Sequence, residues 1–188
     1  MSGCKKVKDL KRHHRGKSSE RFLDKDAILG NLNIIPGQNV LDAGCGNGYM
    51  AKEFAKILGK YGKVYAMDPD TISINVLMSE TEGTIIEPFV GDITKETKMS
   101  ALSIDLIFLS TVIHGFSETQ MEGFLNEVKR ILKPSGQLAI VEIKKEATPF
   151  GPPLNMRFSP EELKLKISLT PAKLIDVGQY FYMQIFNK

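Results

Sequence analysis

The sequence predicts an open α/β sheet, mostly parallel and doubly wound, on three observations. Short apolar stretches alternate with segments of helical spacing from residue 40 to residue 143, the order that parallel strands joined by helical crossovers require. The strand-like stretches are apolar nearly throughout, as strands covered on both faces must be. The last two strand-like segments are separated only by Gly178 and Gln179, a connection that allows only an antiparallel hairpin.

The elements follow in chain order. Asp24 to Leu32 reads as a short helix with Asp24 as N-cap, because a carboxylate there accepts from the free N–H groups of the first turn. Pro36-Gly37 is a turn, and Val40 to Ala43 a short buried strand. Tyr49 to Leu58 carries apolar residues at helical spacing, and Gly59 ends it. Lys63 to Met67 is a second strand, running into Asp68; Thr71 to Ser79 is a helix; Thr84 to Val90 holds a third strand, followed by G-D-I-T. Asp105 to Leu109 is the fourth strand. Glu118 to Leu132 is a periodic helix, with Met121, Phe124, Leu125, Val128, Ile131 and Leu132 on one side. Pro134-Ser135-Gly136 leads into a fifth strand over Gln137 to Ile143. Residues 146–160 are a proline-rich loop, a helix follows near Pro160 to Ile167, and the hairpin closes the chain near Lys173 to Val177 and Tyr180 to Phe186.

A chain of 188 residues is enough for one well-packed domain. No window has the length and apolarity of a membrane span; the basic N-terminus has no apolar run behind it, unlike a secretory signal. Cys4 and Cys45 give neither a disulfide framework nor zinc spacing, so a reducing, cytoplasmic setting is expected. The net charge of +3 is uneven: residues 1–30 hold nine Lys/Arg against four Asp/Glu. We therefore divide the chain into a basic N-terminal arm or lid over residues 1–30 and a main domain over 31–188. The arm reads either as an attractor of anionic substrate or nucleic acid or as a solvated terminus. No aromatics interleave its basic residues, so a stacking platform for single strands is not indicated.

Ligands of doubly wound sheets bind at the carboxyl ends of the strands. Asp42, Asp68 and Asp92 all fall at such ends, beside a turn containing Gly44, Gly46 and Gly48. That turn reads G-x-G-x-G and lacks the G-x-x-G spacing of the dinucleotide fingerprint. Asp42, two residues ahead of the first glycine, would repel a pyrophosphate and suit an ammonium group. Asp68 is placed to accept from ribose hydroxyls. Asp92, with the Ile93 backbone, suits an adenine edge, accepting from its amino group. An amino acid end, a ribose and an adenine together describe S-adenosylmethionine.

On V-L-D-A-G-C-G-N-G, V-Y-A-M-D-P, G-D-I-T, D-L-I-F-L-S-T-V-I-H and R-I-L-K-P-S-G-Q-L, in that order across residues 36–143, the chain resembles the class I S-adenosylmethionine-dependent methyltransferases. In particular it resembles the small stand-alone members similar to the ubiquinone/menaquinone C-methyltransferase group. The resemblance implies a Rossmann-like, seven-stranded sheet with an antiparallel C-terminal strand. It implies that Asp42, Gly44 and Gly46, with Cys45 between them, hold the methionine portion, and that Gly48 allows close backbone approach. Asp68 would hold the ribose with Pro69 and Asp70 beside it, Asp92 and Ile93 the adenine, and Ser110 and Thr111 would line the pocket near the sulfonium.

The resemblance also directs attention to His114, which follows the fourth strand and is the candidate general base; the alternative is a loop histidine packing on the cofactor. In similar proteins the segment holding His13 and His14 folds over the cofactor, and Arg21 suits a cofactor carboxylate. Tyr49 reads as pocket wall or core and Cys45 as a small buried residue. Phe150, Met156 and Phe158 either line an acceptor site or anchor their loop. The expected activity is methyl transfer from S-adenosylmethionine to an acceptor, a small molecule before RNA or protein, with no metal. A non-catalytic cofactor-binding module and a nicotinamide-dependent oxidoreductase are the competing readings; Asp42 and the glycine spacing speak against the latter.

Overall fold

The computed structural model describes residues 19–188. The first element is α1, Lys25–Leu32, capped by Asp24, whose carboxylate accepts from Ala27 N–H at 2.9 Å. Then come β1 (Asn39–Ala43), α2 (Tyr49–Leu58), β2 (Lys63–Asp68), α3 (Thr71–Glu80) and β3 (Ile86–Val90). β4 (Ile104–Ser110), α4 (Glu118–Ile131), β5 (Leu132–Ile143), α5 (Pro160–Lys166), β6 (Thr170–Asp176) and β7 (Phe181–Asn187) complete the order. The strands form one seven-stranded sheet ordered β3-β2-β1-β4-β5-β7-β6. β1 to β5 are parallel, and β7 pairs antiparallel with both β5 and β6.

The sheet is the doubly wound one expected, with particular differences. The antiparallel C-terminal strand is the one expected, and it inserts between β5 and β6, leaving β6 outside. β5 starts at Leu132, five residues earlier than its apolar pattern suggests, because Leu132 already pairs with Ile104 across a register shift. The crossover from β3 to β4 carries no helix. The expected division at residues 30 and 31 falls inside α1, whose Ile28 and Leu32 are buried in the core. Residues 1–18, with Cys4, His13, His14 and most of the basic excess, lie outside the described residues.

Alternation along each strand feeds two cores. Val40, Leu106, Phe108, Ala139 and Val141 join residues of α1, α2 and α3 on one face. Leu41, Ile107, Leu109, Leu138 and Ile140 join α4 and α5 on the other. α4 and α5 each begin with a capping box, Ser117 with Gln120 and Ser159 with Glu162. These boxes satisfy free N–H groups at both ends of the pair and fix where the helices leave the sheet.

The strand order reverses direction between β1 and β4. β1 leads outward to β2 and β3, and β4 leads the other way. A crevice opens at such a switch point, above the carboxyl ends of the two strands.

Candidate cofactor and methyl-transfer site

β1 ends in Asp42 and Ala43, and the chain then turns through three glycines, all with positive φ: Gly44 at 77°, Gly46 at 53° and Gly48 at 75°. L side chains rarely adopt this region, which is why glycine is needed here. The turn is held from below by Met67 at the end of β2, whose carbonyl accepts from Gly44 N–H at 2.7 Å and Cys45 N–H at 3.0 Å.

The three glycines do different work. A Cβ on Gly44 would sit 2.5 Å from Val112 Cγ2, and one on Gly48 would sit 2.5 Å from Leu77 Cδ1 of α3. A Cβ on Gly46 would meet nothing within 4 Å. The close approach expected at Gly48 is therefore made by the buried Leu77 within the protein, and Gly46 is the glycine that faces open space. Gly48 also starts α2, and Asn47 Oδ1 accepts from Tyr49 N–H at 3.1 Å.

Asp42 is 3% exposed, and its Oδ2 has no hydrogen-bond partner. Burial pushes its carboxyl up to about 7; the Ala51 N–H opposes this and the nearby Asp68 charge adds to it. The Ser110 hydroxyl is also buried without a partner. In the register Asp42 stands beside Phe108, so Ser110, two residues on, lies on the same face of the sheet. Buried polar atoms without partners are uncommon, and each needs an explanation. Two on one face, at the ends of adjacent strands, mark a place where a ligand completes the bonding.

Asp68 closes β2. One oxygen accepts from Gly46 N–H at 2.9 Å and the other from Asp70 N–H at 2.8 Å. A carboxylate has about four acceptor positions, so capacity remains for two hydroxyls. Asp92 Oδ1 accepts from both the N–H and the hydroxyl of Thr94, at 3.0 and 2.7 Å, and Oδ2 lies 3.3 Å from Lys95 Nζ. Burial opposes its charge, but Thr94 and Lys95 outweigh it and hold the carboxyl below the usual range. Ile93 is buried in the core on the α4 side. Cys45 is 8% exposed; burial, then the charges of Asp42 and Asp68, push its thiol up, so it is an inert small residue.

Past the end of β4, Thr111 has φ of 58°, unusual for a β-branched residue. Its N–H donates to Val141 O and its hydroxyl to Ser110 O, at 2.8 and 2.7 Å. The strained turn carries the chain to Val112 against Gly44 and then to His114, in a short 3-10 turn. His114 Nδ1 lies 2.8 Å from Glu142 Oε2, and Glu142 Oε1 accepts from Ile113 N–H at 3.1 Å.

The matched family model supplies the family. The model of a methyltransferase domain matches residues 40–136. The chain belongs to the methyltransferase domain family. A ubiquinone/menaquinone biosynthesis C-methyltransferase of Bordetella avium is 29% identical over 129 residues, 68% of this chain and 50% of that protein. An uncharacterized methyltransferase of Synechocystis is 29% identical over 131 residues, 67% of this chain and 57% of that protein. The chain thus spans about half the length of the curated relatives it matches. The crystal structure of a SAM-dependent methyltransferase from Aquifex aeolicus superimposes with a TM-score of 0.80 at 28% identity, covering 91% of this chain and 93% of that one.

S-adenosylmethionine is the cofactor of this methyltransferase fold. The residues present suit it: a buried, unpartnered carboxylate oxygen for a cation, an open glycine beside it, and an acid with spare acceptor capacity one strand away. Beyond Asp42, Asp68 and Ser110, the fold brings together two groups the sequence did not single out. Glu142, wholly buried in β5, reads in L-A-I-V-E-I as one more strand position. Asn47 Nδ2 donates to Glu20 at 2.9 Å and ties the N-terminal segment to the glycine turn. The Arg21 guanidinium stacks over Phe22 at 4.6 Å. Among the described residues no cluster suits a metal ion, and no helix is long and apolar enough to cross a membrane.

The loop expected to meet the acceptor is organised by Arg157, which is 5% exposed. Its guanidinium donates to the carbonyls of Pro152, Lys144, Glu146 and Phe150, at 2.8, 3.1, 2.8 and 3.1 Å. Phe150 stacks on Phe22 at 4.3 Å and meets Tyr180 edge-on at 5.2 Å, so it anchors the loop. Met156 is exposed and Phe158 half-buried. An open groove follows residues 146–154 along this loop and does not reach the glycine turn.

Proposed function

We propose that this chain transfers the methyl group of S-adenosylmethionine to a small-molecule acceptor by in-line displacement. The observation that carries this is the partnerless Oδ2 of Asp42, buried beside the open Gly46. The cofactor's ammonium answers that oxygen, with Gly44, Cys45 and Gly46 as the walls of the methionine site. Asp68, next to Pro69, takes the ribose hydroxyls. Asp92 and the Ile93 backbone take the adenine, and Ser110 and Thr111 border the sulfonium.

The bond to be broken is already activated, because the leaving sulfur departs as a neutral thioether. What the protein contributes is alignment of the nucleophile with the C–S bond, and such orientation supplies roughly 7–11 kcal/mol of barrier lowering. The curated relatives named for C-methylation in quinone biosynthesis favour a small acceptor. The basic residues that would favour RNA or protein lie outside the described residues, apart from Arg21 and Lys25.

Calorimetric titration with S-adenosylhomocysteine, followed by incubation of labelled S-adenosylmethionine with fractionated cell extract, tests the reading. Saturable binding and label in the small-molecule fraction support it. No binding refutes the cofactor assignment; binding without transfer to any fraction leaves a binding module, and label confined to RNA or protein overturns the acceptor class.

A further inference from the structure

His114 and Glu142 form a pair that the cofactor site does not use. Glu142 is wholly buried and the His114 side chain is 20% exposed. One oxygen of Glu142 accepts from Ile113 N–H and the other faces His114 Nδ1. An ionised carboxylate can only accept, so a neutral ring facing one carries its hydrogen on Nδ1 and leaves Nε2 free. The pair sits where the chain leaves β4, two residues past Val112, whose side chain stands against Gly44 of the glycine turn.

We propose that Glu142 holds His114 in its Nδ1–H form, so that Nε2 takes a proton from the methyl acceptor as it attacks. Glu142 is then a positioning residue and His114 the catalytic base. The inference rests on the methyltransferase reading above and adds the acceptor's chemical class: its attacking atom bears a proton, unlike a tertiary amine, a thioether or a carboxylate. In the step, the acceptor's electron pair forms the bond to the methyl carbon. The C–S bonding pair stays on sulfur, giving S-adenosylhomocysteine, and the acceptor's proton passes to Nε2. The resulting imidazolium faces Glu142 and later releases its proton to water.

Two charged groups act on the ring, and a third titratable group faces Glu142. Glu142 on β5 favours the imidazolium, Arg157 in the loop before α5 disfavours it, and Tyr182 on β7 stands opposite Glu142 with its hydroxyl donating to Phe158 O at 2.9 Å. Burial works against the charged ring, but the bond and charge of Glu142 outweigh it and raise the imidazole above its usual range. A pair of this kind contributes roughly 10²–10⁴-fold to a proton transfer.

Glu142→Gln is the decisive variant, because Ile113 N–H dictates how the amide sits. The amide oxygen must accept from Ile113, so the amide NH₂ faces Nδ1 and donates to it. That forces the hydrogen onto Nε2 and removes the base with almost no change in shape. Nitrogen NMR of the full chain, with His114→Asn assigning the signals among the three histidines, reads this directly. Expected above the titration of the ring is a protonated Nδ1 and bare Nε2 in the wild type, inverted in Glu142→Gln. A wild-type Nε2 that carries the hydrogen, or a tautomer indifferent to Glu142→Gln, overturns the proposal without any acceptor in hand. The kinetic arm uses labelled S-adenosylmethionine and the small-molecule extract fraction. Glu142→Gln and His114→Asn should each lower transfer by about 100-fold or more, with S-adenosylhomocysteine affinity within twofold of wild type. Transfer within twofold of wild type in either variant overturns it. Failure of the wild type to bind S-adenosylhomocysteine would instead refute the methyltransferase reading.

Discussion

The two ends of the same central strands are built on opposite plans. At the amino end, Asp105 of β4 accepts from Asn39 N–H at 2.8 Å and from Lys133 Nζ on both oxygens at 2.8 Å. At the carboxyl end, Asp42 of β1 has a partnerless oxygen, Ser110 a partnerless hydroxyl and Thr111 a strained backbone. Both acids are part of one sheet and each is largely buried. The difference teaches where stability was completed within the chain and where completion was left to a ligand. Unsatisfied buried groups destabilise by about 1–3 kcal/mol each, and two of the three among the described residues, Asp42 Oδ2 and Ser110 Oγ, fall together at this end; the third, Gln184 Oε1, lies in β7.

Exchanging the acids' chemistry tests this contrast most strongly. Asp42→Asn removes the charge proposed to answer the cofactor's ammonium, and S-adenosylhomocysteine affinity should fall on the order of 100-fold or more, since a buried charge loses its partner. The same variant should stabilise the ligand-free protein above neutral pH. The folded-state value of about 7 lies above the ordinary 3.8. The stability associated with the protonated acid is therefore fully present below about pH 4 and is lost as pH rises through 7. The amide does not ionise, so melting curves at pH 8 should favour the variant and those at pH 4 should coincide. A variant no more stable than wild type at pH 8 would break the comparison.

Next in size is a pair of glycines. Gly48→Ala drives a methyl into the buried Leu77 of α3 and should destabilise the domain by about 1–3 kcal/mol or more through overpacking and strain. Gly46→Ala meets nothing within 4 Å, so chemical denaturation should show a loss of only about 1 kcal/mol from its positive φ. Its cofactor affinity should fall, because the added methyl occupies the open space. Equal stability losses in the two variants would contradict their assigned roles.

Asp105→Asn sharpens the other end. It should lower stability by about 1–3 kcal/mol, since Lys133 loses its ionic partner, and leave S-adenosylhomocysteine affinity unchanged in calorimetry. The smallest effect is expected at Thr111→Gly. Relief of the strained φ offsets the extra freedom of the unfolded chain, so stability should change by less than about 1 kcal/mol. A larger loss in denaturant would show that the Thr111 hydroxyl bond to Ser110 O matters more than the strain.

The placement of the proposed cofactor residues at strand ends was legible, because their parts are local. Asp42, the glycines and the start of α2 lie within ten residues, and a strand followed by a positive-φ turn and a helix dictates their relation. Asp68 and Asp92 were readable as acids at strand ends, since the pleat and the crossover order place all such ends on one edge. What fills the space beside Gly48 was not legible, for a physical reason. Its neighbour Leu77 is 29 residues away, and spacing cannot show which glycine is filled by a distant side chain. The acceptor half was hardly legible. Arg157 in R-F-S-P looks like a surface cation, yet four carbonyls of one loop enclose it.

By itself the sequence determined the doubly wound sheet and the methyl donor. Periodicity, capping and glycine placement act over a few residues, and those interactions are the same wherever the segment goes. Only the tertiary structure decided that β7 lies between β5 and β6, that Gly46 is the open glycine, and that Glu142 stands behind His114. Each of these depends on strand order. Placing β4 beside β5 brings residues 28 apart within hydrogen-bond reach, a contact set by long-range burial and not by any local preference of the chain.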